Sequence, residues 1–191
     1  MMKTTNIMIV GVGGQGSLLA SKLLGKLLCG EGYDVKVSEV HGMSQRGGSV
    51  VTYVRFGEKV YSPIIDKGEA DYIISFEKLE GARYVSCLKE GGTLVVNTQQ
   101  IDPMPVIIGA AEYPAEILSE LEAKGVNVDK IDALALANEA GSSKAVNIVL
   151  LGRLAKHMNI STEKWIAAIE SSVKPAFVEL NKKAFELGYN S

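Results

Sequence analysis

A chain of 191 residues that is 47% hydrophobic and 22% charged carries enough apolar side chain to bury a substantial core, which excludes disordered and fibrous classes and fits one globular domain over residues 1–191. Its formal net charge of -2, with no block of Lys or Arg, argues against nucleic acid and membrane surfaces, because both demand a basic patch. The expected partner is another protein or a small molecule. Cys29 and Cys87 stand far apart without a C-x-x-C pair, so they cannot by themselves hold an iron–sulfur cluster or a Cys-rich zinc site, and are expected as reduced core thiols. The apolar run Ile7-Met8-Ile9-Val10 meets Gly11 too early for a signal-peptide core or a membrane span, so the expected location is the cytoplasm.

In chain order, Ile7–Val10 predicts a strand running into glycines, and Leu18, Leu19, Leu23, Leu24, Leu27 and Leu28 then recur at helical spacing up to Gly30. Tyr33–Val40 alternates and predicts a second strand reached by a right-handed parallel crossover. After the loop "HGMSQRGG", the stretch "SVVTYVRFGEKVYSPII" holds two runs flanking Gly57-Glu58 and predicts a β-hairpin. Ala70–Phe76 reads as a buried strand, Lys78–Leu88 as a helix stopped by Gly91-Gly92, and Thr93–Asn97 as a strand. Val106–Ile108 is a candidate short strand, Ala115–Lys124 a helix and Val128–Ala137 a further strand. From Ser143 onward three helices are predicted, Lys144–Met158, Glu163–Val173 and Pro175–Leu187, the last with Pro at its start and Gly188 past its end. The expected fold is α/β: a Rossmann-like, mostly parallel sheet with a hairpin insertion and a helical C-terminal part.

Gly11, Gly13 and Gly16 have G-x-G-x-x-G spacing between strand and helix, where free N–H groups and the positive helix end gather around a place for phosphate. Glu39, about 20 residues further on, stands where an acidic residue would grip a ribose hydroxyl. Against a dinucleotide, the loop His41–Gly48 must share that space, and the helix end alone offers only ~0.3–1 kcal/mol to an anion. A tight turn with close helix–strand packing accounts for the glycines equally well. In "EVHGMSQRGGSV", Arg46 has the planar fork that suits carboxylate or phosphate, and Gly47-Gly48 would let backbone amides approach the same anion. The alternative is an Arg46–Glu39 ion pair on a solvated turn. His41 has no visible partner, and His157 is expected to cap a helix end. Glu77, Lys78 and Thr98–Gln100 follow strand ends, where α/β sheets gather ligands, but Lys78 and Arg83 also fit a solvated face. Trp165 and Ile169 fit core or interface.

The blocks "IMIVGVGGQGSLLASKLLG", "EVHGMSQRGGSVVTYVRFG", "ADYIISFEKLEGARY", "GGTLVVNT" and "KAVNIVLLGRLAKHMNIS" together resemble the gamma-type subunits of 2-oxoacid:ferredoxin oxidoreductases, most of all the beta subunits of the indolepyruvate enzymes. The resemblance covers nearly the whole chain in order. It implies an accessory subunit of an enzyme that oxidatively decarboxylates indolepyruvate or similar aryl pyruvates to aryl-acetyl-CoA with reduction of ferredoxin. Thiamine diphosphate, magnesium and iron–sulfur clusters are then expected in a large partner subunit, with no cofactor tightly bound in this chain and coenzyme A as the candidate ligand. Carried onto this sequence, it makes Gly11, Gly13, Gly14, Gln15 and Gly16, with Ser44, Gln45, Arg46, Gly47, Gly48 and Ser49, the candidate ligand-facing or partner-facing positions. A homodimer is the expected substitute when the partner is missing. Two other readings stay open: a stand-alone NAD(P)-dependent oxidoreductase, and a scaffold that uses the "SQRGGS" loop for a protein contact.

Overall fold

The computed structural model describes residues 4–42 and 47–191, so Ser44, Gln45 and Arg46 lie outside the described residues. The first strand, β1 (Thr5–Val12), is buried on both faces: Ile7 and Ile9 pack with Val54, Phe56 and Ile74, while Met8 and Val10 pack with Val51, Ile73 and Val96. A strand covered on both sides has no solvated face to alternate with, which is why "IMIV" reads as one apolar run. It leads through a glycine turn to α1 (Ser17–Gly30), β2 (Asp34–His41), β3 (Ser49–Gly57), β4 (Ala70–Ser75), α2 (Lys78–Tyr84) and β5 (Leu88–Asn97). Then follow α3 (Met104–Ile107), α4 (Ile117–Ala123), β6 (Asn127–Ile131), α5 (Ala133–Ala140), α6 (Val146–Ala155), α7 (Thr162–Glu170) and α8 (Val178–Asn190).

The sheet order is β2-β3-β1-β4-β5-β6, with β1, β4, β5 and β6 in parallel and β3 antiparallel to both its neighbours. Helices α1, α5, α6, α7 and α8 cover one face, and α2 and α4 the other. The α/β, mostly parallel architecture with a helical C-terminal part is therefore as expected. Among the described residues no helix is long and apolar enough to cross a membrane.

The hairpin lies elsewhere than "SVVTYVRFGEKVYSPII" predicts. β3 pairs backward with β2, His41 opposite Val50 and Asp34 opposite Gly57, and it also separates β2 from β1. Past Gly57 the chain leaves the sheet, because its polar backbone is satisfied by side chains instead of a ladder. Val60 N–H donates to Asp34 Oδ2 at 2.9 Å, Arg55 Nη1 donates to the carbonyls of Ile64 (2.6 Å) and Ser62 (3.2 Å), and Pro63 has no N–H to give. Other boundaries shift for local reasons. The segment at Val106–Ile108 is helical, since Pro103 and Pro105 set helical φ at its start. Val128–Ala137 divides into β6 and α5, where Asp132 accepts from Ala135 N–H and opens the helix. Gly91 and Gly92 lie inside β5, at a register irregularity beside β4.

The cysteines are not core thiols: Cys29 is exposed on the outer side of the last turn of α1 and Cys87 is half-buried. Leu18 and Leu19 are 46% and 40% exposed, because the side of α1 that meets the sheet is Ala20, Leu23, Leu24, Leu27 and Leu28. In α6 every residue except Arg153 is buried, so its all-round apolar pattern reflects a central helix of this chain. Gly188 stands inside α8 and not past its end: a Cβ there would meet the Val149 carbonyl of α6 at 2.0 Å.

His157 pairs with a carboxylate in place of capping α6. Its Nε2 is 2.6 Å from Asp129 Oδ2, and Arg153 grips the same group with Nε at 2.8 and 2.9 Å from the two oxygens. Burial pushes the Asp129 carboxyl upward, but the hydrogen bonds and charges of Arg153 and His157 outweigh it and hold it below its ordinary 3.8. A carboxyl depressed in the fold contributes stability above its unfolded value, and that contribution is lost as pH falls through the lower folded one. Asp129→Asn is therefore expected to cost about 2 kcal/mol at pH 7, with the deficit shrinking as both proteins are titrated toward pH 3. A deficit in the urea midpoint that stays constant with pH would refute this.

Candidate functional site

Both glycine blocks of the sequence meet at the carboxyl end of β1. Gly13 N–H donates to the Gly48 carbonyl at 2.8 Å and Gly47 N–H to the Gly13 carbonyl at 3.3 Å, which continues the β1–β3 ladder into the turn. Ser49 Oγ donates to Glu80 Oε2 at 2.5 Å and so ties the start of β3 to α2. Gly11 faces inward, since a Cβ would sit 2.9 Å from Phe76 Cβ. Gln15 also bonds within the chain: its Oε1 accepts from Val12 N–H at 2.8 Å and its Nε2 donates to the Phe76 carbonyl at 3.1 Å.

These bonds do not use the far side of the turn. Gly14 and Gly16 have φ of +105° and +91°, left-handed conformations that L side chains rarely adopt, and they turn the chain so that α1 starts at Ser17. The N–H groups of Gly14, Gly16, Ser17 and Leu18 have no partner among the described residues. They stand at the positive end of a 14-residue helix. On one side opens a cleft of about 340 Å³ lined by Gly13, Gly14, Ser17, Glu39 and His41. Glu39 Oε2 is buried without a hydrogen-bond partner among the described residues. His41 is exposed, with Nδ1 3.3 Å from the Gly42 carbonyl. On the other side a second cleft of about 520 Å³ runs past Gly14, Gly16 and Leu19 to Gln99, Lys144 and Asn147.

A polar layer beneath the turn fixes its position. Asn97, fully buried, donates to the Phe76 carbonyl at 3.1 Å and accepts from Ala133 N–H at 3.1 Å, so one side chain joins the ends of β4 and β5 to the start of α5. Asn147 reaches the Gly16 carbonyl at 3.4 Å from α6. Glu77 is a buried cap: Oε2 accepts from Glu80 N–H at 2.9 Å, and Oε1 accepts from Ile101 N–H at 3.2 Å and from the Tyr113 hydroxyl. Gln99 Oε1 accepts from Asn97 Nδ2 at 3.3 Å, so the strand-end positions at Glu77 and Gln99 serve to hold the turn in place. Asn97, Tyr113 and Asn147 carry no motif, and only the strand-end rule points near the first of them.

These groups fit a nucleotide-bearing ligand. N–H groups without a partner among the described residues suit phosphate oxygens, and the Glu39 carboxylate in the lining of the first cleft suits a sugar hydroxyl.

The family model for pyruvate ferredoxin/flavodoxin oxidoreductases matches residues 6–191. The chain belongs to the pyruvate ferredoxin/flavodoxin oxidoreductase family. Within this family it is 46% identical to the indolepyruvate oxidoreductase subunit IorB of Thermococcus kodakarensis, over 98% of this chain and 95% of that one. Among solved structures it is similar to the gamma subunit of a keto/oxoacid ferredoxin oxidoreductase from Geobacter sulfurreducens, with a TM-score of 0.73, 26% identity, and 97% and 96% of the two chains covered. The fold also matches part of the 2-oxoglutarate:ferredoxin oxidoreductase of Magnetococcus marinus, solved with 2-oxoglutarate, coenzyme A and succinyl-CoA, at a TM-score of 0.77 and 21% identity. There this chain is covered over 98% of its length but spans 31% of the longer one. The family is thus the one implied by the blocks at Ile7–Gly25 and Glu39–Gly57.

Proposed function

We propose that this chain is the accessory subunit of a cytoplasmic indolepyruvate-type 2-oxoacid:ferredoxin oxidoreductase, all of 1–191 acting as one gamma-type domain. The observation that carries the reading is the likeness to IorB over nearly the full length of both chains. A large partner subunit holds the thiamine diphosphate, magnesium and iron–sulfur clusters and passes electrons to ferredoxin. The glycine turn of this chain binds coenzyme A, whose thiol takes up the acyl group formed once the decarboxylated substrate has lost two electrons to ferredoxin. The N–H groups of Gly14, Gly16, Ser17 and Leu18 hold its phosphates, Glu39 accepts from a sugar hydroxyl, and the loop of Ser44, Gln45 and Arg46 adds a cation to the same anion. Gly11, Gln15 and Ser49 keep that surface in register through the contacts described above.

Glu39 beside the turn also suits the ribose of NAD(P), so the test must separate the two ligands. Ser17→Asp adds a carboxylate at the first helical position, where it supports α1 but repels phosphate. In the assembled enzyme it is expected to raise the KM for coenzyme A about tenfold, a loss of about 1.4 kcal/mol, and to leave the KM for indolepyruvate unchanged. An unchanged KM for coenzyme A, or micromolar NADH binding by the isolated chain that this variant abolishes, would overturn the assignment.

A further inference from the structure

A second concave surface lies beyond the glycine turn, where the short helical turn Ser143–Ala145, the end of α7 and the start of α8 enclose about 550 Å³. Its walls are apolar at Leu19, Val173, Phe177 and Leu180, and two cations, Lys144 and Lys174, line it with no carboxylate among the lining residues. Neither ammonium has an ion-pair partner among the described residues. Ser172 Oγ, also in the lining, is buried without a hydrogen-bond partner among the described residues. Phe177 is 53% exposed, with its ring available to stack.

We infer that this cleft binds a small amphipathic carboxylate: an apolar body of one or two rings against Leu19, Val173, Phe177 and Leu180, and an anionic head held by Lys144 and Lys174. The volume falls in the range of small-ligand pockets, about 300–1,000 Å³, and the chemistry is that of such pockets, apolar walls with a few convergent polar groups. Two unpartnered cations set the sign of the ligand's charge, and the aromatic lip favours a planar body. The site shares Leu19 and Lys144 with the second cleft beside the glycine turn, but it uses neither the turn N–H groups nor Glu39.

Indole-3-acetate is the probe, titrated calorimetrically into the full-length chain, with neutral indole-3-acetamide beside it. The expected result is saturable one-to-one binding of the acid below about 1 mM, with the amide about tenfold weaker. In the double variant Lys144→Gln/Lys174→Gln the acid weakens about tenfold while the amide does not change. Lys144→Arg/Lys174→Arg retains the preference for the acid, and Phe177→Ala weakens both ligands. The proposal is overturned by a lack of saturable binding, by equal binding of acid and amide, or by acid binding that the double Gln variant leaves intact. It is equally overturned if the partner subunit displaces the probe on assembly, because the cleft is then a docking surface for protein.

Discussion

Gly188→Ala is expected to detach α8 from α6 and unfold much of the C-terminal half at denaturant concentrations that the wild-type chain resists. A Cβ at Gly188 would lie 2.0 Å from the Val149 carbonyl oxygen, and one at Gly152 would lie 2.2 Å from the Phe185 carbonyl oxygen. The two helices are thus in reciprocal backbone contact, each through the other's glycine. A methyl group can enter only if one helix moves as a body, which also disturbs buried Ile148, Val149, Ala184 and Phe185. Overpacking of this kind costs about 3 kcal/mol or more, a large share of a typical stability of about 5–15 kcal/mol. Trp165, the one tryptophan, is fully buried and stacks on Phe185 of α8 at 5.8 Å, so its fluorescence reports directly on the docking. Gly30→Ala, where a Cβ meets nothing within 4 Å, is the control and is expected to leave the midpoint within about 0.5 kcal/mol of wild type. Equal stability of the Gly188→Ala and Gly30→Ala proteins would show that the helices are not so close.

The second large effect is expected at Glu77. Removing its side chain as Glu77→Ala strands three donors at a position only 1% exposed: the N–H groups of Glu80 and Ile101 and the hydroxyl of Tyr113. Burial and the neighbouring Glu77 carboxylate push the Tyr113 hydroxyl well above its ordinary value, so it stays a proton donor through the whole neutral and alkaline working range. A buried donor without a partner costs about 1–3 kcal/mol, and the sum here is expected near 3 kcal/mol after relaxation. Tyr113→Phe removes one of the three bonds and is expected to cost about 1 kcal/mol. The loss extends to the site, because the same carboxylate anchors Ile101 beside Gln99 in the second cleft. A cost below 1 kcal/mol for Glu77→Ala in urea unfolding would mean that water replaces the carboxylate and the segment is not fixed by it.

The first strand, glycine turn and first helix were legible because each has a local cause: a run buried on both faces, two glycines at positive φ, and leucines at helical spacing. Pairing was not. Alternation identifies β2 and β3 as strands, but nothing in Phe56-Gly57-Glu58-Lys59 reveals that Asp34 and Arg55 would satisfy the following backbone and divert it from a hairpin. The two glycine blocks are expected side by side and their described parts do meet at the end of β1, yet their division of labour depends on Phe76, Glu80 and Gly48 coming to the same strand end. His157 reads as a helix cap in the sequence because its carboxylate partner sits on β6, far away along the chain. Gly188 looked like a stop signal because the helix it must touch, α6, lies a whole α-hairpin earlier in the chain.

The accessory-subunit assignment is tested by recovering the tagged chain from an anaerobic extract of its own cells and assaying the eluate for indolepyruvate-dependent reduction of ferredoxin, with and without coenzyme A. An accessory subunit is expected to come out in a complex with a large iron–sulfur subunit, with activity that requires coenzyme A and disappears when this chain is removed. A chain recovered alone and inactive, from an extract that retains the activity, would contradict it.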